Sequence, residues 1–323
     1  MQEIQKQENI RVITYGSCRV FEPILLLKGL GCIKATELLG KWYTHTTKET
    51  IQKSLILDCL KPVPLHIMPL IMADHTKCKA VHDDIESKFQ KSAKGRYNNP
   101  GDVILIEISS IKEVIIGDYI GQIGAINDIK HNKSNLSKES FAVLSQASQV
   151  TQTADELYND LTELHKMFGN KKMILVSHFN IDAQDGSGKI ASRQMISEVL
   201  QKFSTENNID YFDPTPIIKK AGQSNALHNS THYKDSFFPE IAEELSKLIF
   251  GKAPEIISKL ALHYRLKRDA AYDAAIEVAT ALIAELKPEY RKQLLLSMAE
   301  IFEAQKDFKS AADSYKKIIY KKY

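Results

Sequence analysis

Two short stretches carry the residue types that acyl-transfer chemistry uses. Gly16-Ser17-Cys18-Arg19 follows the β-branched run Ile10-Arg11-Val12-Ile13-Thr14-Tyr15 and precedes an apolar, helix-like segment. A strand, a tight turn and a helix start put a nucleophilic side chain beside backbone N–H groups that lack partners within the helix. An acyl carbonyl needs both an attacking atom and donors for its developing oxyanion. Ser17 and Cys18 are both of nucleophilic type, and the tetrapeptide leaves the choice between them open. The second stretch is Asn229-Ser230-Thr231-His232, followed at helical spacing by Phe237, Phe238, Ile241, Ala242 and Leu245. An early nucleophile and a late histidine converge only if the chain between them builds one sheet.

Other polar side chains fall near the same places. Arg19, His178 and Arg193 are candidates to bind a carboxylate, sulfate or phosphate, because a guanidinium offers a planar two-point contact. His45 is a further candidate for the substrate site, and His45 or His228 could replace His232 as base. His75, Cys78 and His82 share one helical face and, with His66, have ligand types that zinc accepts. Cys78, Ile85 and Phe89 also form a plain apolar stripe, and no metal is expected.

The elements that must position these residues are legible as an alternation of short β-branched runs with amphipathic helices from residue 10 to about 250. Strands are expected at Val12–Tyr15, Cys32–Glu37, Val103–Ile108, Met173–Ser177 and Asp210–Phe212. Thr46-Thr47-Lys48-Glu49 reads as a capping box opening a helix toward Leu60, and Ala154–Phe168 and Ser192–Phe203 have helical periodicity. Right-handed crossovers then bring Gly16 to Arg19, Ser109-Ser110, His178-Phe179-Asn180 and the His232 loop to one rim of the sheet. Lys61–Pro69 and Lys94–Gly101 read as loops, and Gly117–Ser137 as a long excursion of the kind that covers a substrate.

After Gly251 strands stop and helical residues take over. Ala261, Tyr264, Tyr272, Ala275 and Ala279 are spaced much as Ala299, Phe302, Phe308, Ala311 and Tyr315 are, and Pro288 divides the two sets. The pair resembles tetratricopeptide repeats, with the first turn about two residues longer than the second. A plain helical extension capping the sheet is the other reading. Two repeats are too few to stand alone, so they are expected to pack on the sheet domain or on a second copy.

Composition narrows the partners. The 323 residues carry a net charge of +3 with dispersed cations, which argues against nucleic acid. No apolar run approaches the roughly 18 residues of a membrane span. Cys18, Cys32, Cys59 and Cys78 have no paired spacing and the segment before the first strand is polar, so a cytoplasmic protein is expected.

With strand, turn, late Asn-x-x-His and closing helix in this order, the chain resembles the SGNH or GDSL hydrolase superfamily. Gly16-Ser17-Cys18 stands where that superfamily has Gly-Asp-Ser, so Cys18 falls on the nucleophile position. A thiol there is similar to the GSCFA branch and to capsule-polysaccharide enzymes with Gly-Asn-Cys. The superfamily's last block is Asp-x-x-His with an Ile-Ala pair nine and ten residues beyond, a register met by His232 and Ile241-Ala242. Asn229 replaces the aspartate, Ser109 stands at the oxyanion asparagine, and Gly40 matches the second-block glycine without being given a catalytic role. Neutral Asn229 can orient an imidazole but brings no charge. A thiol, with a reference pKa of about 8.5, tolerates that loss better than a serine does.

The resemblance implies an α/β, doubly wound three-layer sandwich over residues 1–251, its mostly parallel five-stranded sheet in flavodoxin-like order. A small all-α helical-repeat domain is expected over residues 252–323. The function that the resemblance implies for the chain is that of an O-acyl esterase or acetyltransferase on a carbohydrate or polysaccharide precursor. Cys18 attacks, His232 carries the proton, Asn229 orients it, and Ser109 with the Cys18 N–H holds the oxyanion. No cofactor is required, and an acyl-CoA is a candidate donor whose phosphates Arg19 or Arg193 would face. Water and a sugar hydroxyl stand equally as acceptors. The alternative is a catalytically degenerate glycan-binding scaffold whose helical repeats recruit a protein partner or form a homo-oligomer.

Overall fold

The computed structural model describes residues 10–35, 42–91, 101–131, 136–181 and 190–319. The chain gathers into two compact units, one over Asn9–Phe21 and Lys34–Lys219, the other including Glu22–Ile33 and Lys220–Tyr323.

In the first unit the strands are β1 (Arg11–Tyr15), β2 (Lys34–Ala35), β3 (Val103–Ile108), β4 (Lys112–Ile116), β5 (Tyr119–Gly121), β6 (Ser148–Thr151), β7 (Lys172–Ser177) and β8 (Asp210–Phe212). Five of them pair in parallel in the order β2-β1-β3-β7-β8, the flavodoxin-like order. All five coincide with expected strands, although β2 is shorter, and the expected Glu37 lies outside the described residues. The chain runs from β1 outward to β2 and then returns to the other side of β1. Crevices open at the C-terminal ends of strands where the order reverses in this way. Here that point lies between the ends of β1 and β3.

The central strand β3 buries all six residues of Val-Ile-Leu-Ile-Glu-Ile. Ile104, Ile106 and Ile108 form one core cluster with Ile13, Tyr15 and Leu175. Strand alternation therefore turns Val103, Leu105 and Glu107 to the opposite face. Helix α1 (Cys18–Gly29) begins in this unit and runs on into the other, while α2 (Thr47–Leu57), α3 (Ala154–Phe168) and α4 (Ala191–Asn207) belong to this one. Leu157, Leu161 and Leu164 of α3 and Leu200 and Phe203 of α4 complete the cluster.

Helix α3 opens on a capping box between Thr153 and Glu156. At α2 the Thr46 hydroxyl accepts from the Glu49 N–H at 3.1 Å, but the Glu49 carboxylate reaches back to the N–H of His45, one residue before the box position. An N-cap of this kind stabilises its helix by about 1 kcal/mol. The displaced arm fixes the residue ahead of the helix as well.

Residues 117–137 are not a bare excursion. They contain β5 and a helix over Ile123–His131, and β5, β4 and β6 form an antiparallel sheet. A second core of Trp42, Ile56, Met68, Val114, Ile116 and Ile126 lies in this region. The expected loop Lys61–Pro69 ends inside a short helix over Met68–Ile71. Residues 94–100 and Gly40 lie outside the described residues.

The second unit contains a hairpin of β9 (Leu227–Asn229) and β10 (His232–Tyr233), then α5 (Phe238–Phe250), which closes on Gly251 at φ +82°. Four helices follow, α6 (Glu255–Arg268), α7 (Tyr272–Glu285), α8 (Pro288–Ala304) and α9 (Phe308–Ile319). The hairpin and α5 thus group with the C-terminal helices, whereas the expected division at 251/252 keeps them with the sheet. Both inner turns are three residues long, Asp269–Ala271 and Gln305–Asp307, with a left-handed central residue, Ala270 or Lys306. The two extra residues of the first set fall in the last turn of α6, after Tyr264, rather than in the connecting turn. Ala261, Ala275, Ala279, Ala299 and Ala311 are buried, where small side chains let helices approach closely. Among the described residues no helix is long and apolar enough to cross a membrane.

Candidate functional site

The turn after β1 is organised by a carboxylate. Glu107, 1% exposed, accepts from both the N–H and the hydroxyl of Ser17 on Oε2, at 2.7 and 2.6 Å. Its Oε1 accepts from Nε of Arg19 at 2.5 Å, and the Arg19 side chain is also buried. A carboxylate at such depth is sustained only by a counter-ion and hydrogen bonds to its lone pairs, and Glu107 has both. Gly16 is required at this point, because its φ is +151° and a Cβ would lie 2.7 Å from Glu107 Cβ and Val20 Cγ2. Glu107 was not singled out in the sequence. The signal was there: a lone acid in an otherwise apolar, six-residue strand must be paired.

Helix α1 starts at Cys18, which is half-buried, and the Ser17 carbonyl accepts from the N–H groups of Val20 and Phe21. Ser17 and Cys18 therefore differ in circumstance. The Ser17 hydroxyl donates a hydrogen bond to Glu107 and accepts from the Arg19 N–H at 3.3 Å. Cys18 stands at the head of the helix, directly after the C-terminal end of β1.

Strand β3 delivers Ser109 to the same rim. The N–H groups of Ser109 and Ser110 donate to the His45 carbonyl at 2.9 and 3.0 Å, and the Ser109 hydroxyl lies 3.0 Å from His45 Nδ1. Burial, then the Arg19 charge, push the His45 pKa down to about 4, against a smaller upward pull from Glu107. The ring is neutral at pH 7.

His178 and Arg193 belong to the same electrostatic neighbourhood. His178 Nδ1 pairs with the Phe179 carbonyl at 2.8 Å. Burial and then the charges of Arg19 and Arg193 hold its pKa well below the usual value. Arg193, in the first turn of α4 and 8% exposed, stacks its guanidinium over the Phe179 ring and donates to the Phe179 carbonyl at 3.4 Å. Its pKa is lowered to about 10 by burial and then by Arg19. Arg19 is committed to Glu107, whereas Arg193 donates to the Phe179 carbonyl.

Asn229 and His232 face each other across the hairpin of the second unit, and the pairing shifts register between His232 and Tyr233. Such a bulge re-aims a side chain locally. Asn229 Oδ1 accepts from the His232 N–H at 3.0 Å, the Thr231 N–H at 2.9 Å and the Thr231 hydroxyl at 2.8 Å. The Thr231 hydroxyl thus donates to Asn229, and its oxygen, 2.8 Å from His232 Nδ1, must accept from the ring. Nδ1 also lies 3.1 Å from Asn229 Oδ1. Both contacts require Nδ1–H, which leaves the lone pair of the neutral ring on Nε2, the form a general base needs. The part played by Thr231 was not anticipated, although a hydroxyl two residues after an asparagine is a known local partner.

His66, His75, Cys78 and His82 form no ligand set. Among the described residues no group of three or more histidine, cysteine or acidic side chains is placed to hold a metal ion.

The chain matches the TviD N-terminal domain family over residues 10–129 and 125–248. It is 21% identical over 269 residues to the Vi polysaccharide biosynthesis protein TviD of Salmonella typhi, covering 72% of this chain. The chain spans only 30% of that relative's length. Among solved structures it is similar to a catalytic mutant of Axe2, an acetylxylan esterase from Geobacillus stearothermophilus, at 13% identity and a TM-score of 0.38, covering 75% of this chain and 94% of the other. A second variant of that esterase gives 12% identity and a TM-score of 0.38, with 76% and 97% covered. The matched segments include both the turn at Cys18 and the Asn229–His232 hairpin, and the chain belongs to the TviD N-terminal domain family.

Proposed function

We propose that this chain transfers acyl groups to or from a carbohydrate, with Cys18 as nucleophile and His232 as proton carrier. The observation that carries the reading is the position of Cys18, first residue of α1, at the reversal point of a parallel sheet. The Nδ1–H form of His232 supports it from the other unit. The carbohydrate rests on the family, since the relative TviD is named for polysaccharide biosynthesis. The chemistry is SGNH-like, in the Gly-x-Cys variant that GSCFA-type and capsule-polysaccharide enzymes use.

In the scheme the Cys18 thiol gives its proton to His232 Nε2, Sγ bonds to the acyl carbon, and the carbonyl π pair moves to oxygen. Collapse breaks the bond to the leaving oxygen or sulfur, which takes the proton from His232 and leaves a thioester on Cys18. A sugar hydroxyl or water then attacks the thioester and passes its proton to His232. As the C–S bond breaks, Sγ recovers that proton. Asn229 and Thr231 hold the ring, Ser109 and the Cys18 N–H steady the oxyanion, and Ser17 locks the turn through Glu107. Arg193, flanked by His178, binds an anionic group of donor or acceptor, such as an acyl-CoA phosphate.

The four free thiols fit a reducing, cytoplasmic setting. The tetratricopeptide-like hairpins supply a surface for a protein partner or a second copy.

The test is to incubate the full chain with acetyl-CoA and, separately, with p-nitrophenyl acetate, and to map adducts by peptide mass spectrometry. An acetyl group on Cys18, absent from Cys18→Ala, is the expected result. No cysteine adduct from either donor overturns the reading and favours a glycan-binding scaffold.

A further inference from the structure

We propose that His45 is a positioning residue that directs the Ser109 hydroxyl proton toward the acyl oxygen, an inference that rests on the acyl-transfer reading above. The segment ahead of α2 ties together both turns of the rim. The Thr44 N–H donates to the Gly16 carbonyl at 2.9 Å, the His45 carbonyl accepts from Ser109 and Ser110, and the His45 N–H donates to Glu49. Lys53 anchors the same segment by donating to the Trp42 carbonyl at 2.5 Å. His45 is therefore held by its backbone in front and behind, with Nδ1 facing Ser109 Oγ at 3.0 Å.

An accounting of donors shows why that contact matters. The Ser17 N–H is taken by Glu107, the Arg19 N–H by Ser17 Oγ, and those of Ser109 and Ser110 by His45. The backbone groups that would ordinarily line an oxyanion site are largely used to build the turn. Among the side chains of this rim, the Ser109 hydroxyl can take their place if its proton points away from the imidazole. That direction follows from the tautomer of a neutral ring. With the proton on Nδ1, the ring donates to Ser109 Oγ and the hydroxyl proton is turned outward.

With the proton on Nε2, Nδ1 would instead accept from Ser109 and draw that donor out of the site. The second arrangement would make Ser109 a base-activated nucleophile. In the reading above Cys18, at the head of α1, already supplies the attacking atom, so Ser109 serves it as a donor and not as a second nucleophile. No proton is transferred in the proposed role; Ser109 donates a hydrogen bond to the oxygen that gains charge when Cys18 adds to the carbonyl.

Two measurements on the full chain test this. Nitrogen-15 NMR of the imidazole side chains reads the His45 tautomer without any substrate; Nδ1–H is expected, and Nε2–H overturns the proposal. The rate of Cys18 acetylation by p-nitrophenyl acetate reads the consequence. Removing one oxyanion donor costs about 10²–10³-fold in related chemistry, so His45→Ala is expected to slow acylation by about 10–100-fold at unchanged KM. Ser109→Ala should do the same, and the double variant should be no slower than Ser109→Ala alone. His45→Asn, whose amide nitrogen can donate where Nδ1 does, should recover to within about threefold of the wild-type rate with an unshifted pH profile.

Equal loss in His45→Asn and His45→Ala would mean a base role and contradict the assignment, as would additive losses in the double variant. If the wild-type chain acylates nowhere, the acyl-transfer reading falls and the oxyanion role with it. If the wild-type chain acylates and His45→Ala matches its rate, the reading stands and this inference alone fails.

Discussion

The turn after β1 and the β9–β10 hairpin both hold the polar residues of one proposed reaction, yet they are braced in opposite ways. At the turn a buried charge does the bracing: Glu107 receives Ser17 twice and Arg19 once, and almost nothing there reaches solvent. At the hairpin, Asn229 and His232 are exposed and held by neutral hydrogen bonds among residues 229–232. Breaking the first should therefore cost folding before it costs chemistry. Breaking the second should do the reverse.

The largest effect is expected at Glu107. Replacing it with alanine strands Arg19 in the interior, and losing one partner of a buried pair costs about 3–5 kcal/mol. Urea denaturation of Glu107→Ala reads this directly, and a change under 1 kcal/mol would mean that the turn is not braced by charge.

Next comes acid sensitivity through His45, whose folded-state pKa of about 4 lies below its ordinary 6.5. Between those values the unfolded chain binds more protons, so stability is full above pH 6.5 and declines as pH falls toward 4. The loss is on the order of 3 kcal/mol at most. Denaturation curves at pH 7 and pH 4.5 should show it in the wild type, and the part due to His45 should vanish in His45→Asn.

Gly16→Ala forces a Cβ against Glu107 and Val20 in an unfavourable backbone region, which costs about 1–3 kcal/mol. The smallest stability change is expected for Asn229→Ala, within about 0.5 kcal/mol for an exposed side chain. Its acylation rate should nonetheless fall by about tenfold or more, because His232 loses the acceptor that fixes its tautomer. A stability loss at Asn229 as large as that at Glu107 would erase the contrast between the two regions.

The sequence was most readable where one physical signal dominated. The runs of β1, β3 and β7 are β-branched and buried, so strand and position were recovered together, while the sheet order came from the family resemblance and not from the runs themselves. The antiparallel β4–β6 sheet escaped because Ser148–Thr151 is exposed throughout, with Val150 its one apolar residue, and Tyr119–Gly121 is too short to show alternation. The residues of the candidate site were legible as types, through Cys18, Ser109, Asn229 and His232. Their couplings were not, since Glu107 lies 90 residues from Ser17 and His45 lies 64 from Ser109. Partners that far apart are joined by sheet register, not by spacing along the chain.

The central claim, that Cys18 is a base-assisted nucleophile, is tested most directly by the iodoacetamide alkylation rates of Cys18, Cys32, Cys59 and Cys78 at pH 7 in wild type and His232→Ala. The account expects Cys18 to react at least about tenfold faster than the other three, as a thiol with a lowered pKa does, and to lose that advantage in His232→Ala. Equal, slow labelling of all four cysteines, or a fast Cys18 indifferent to His232, would contradict it.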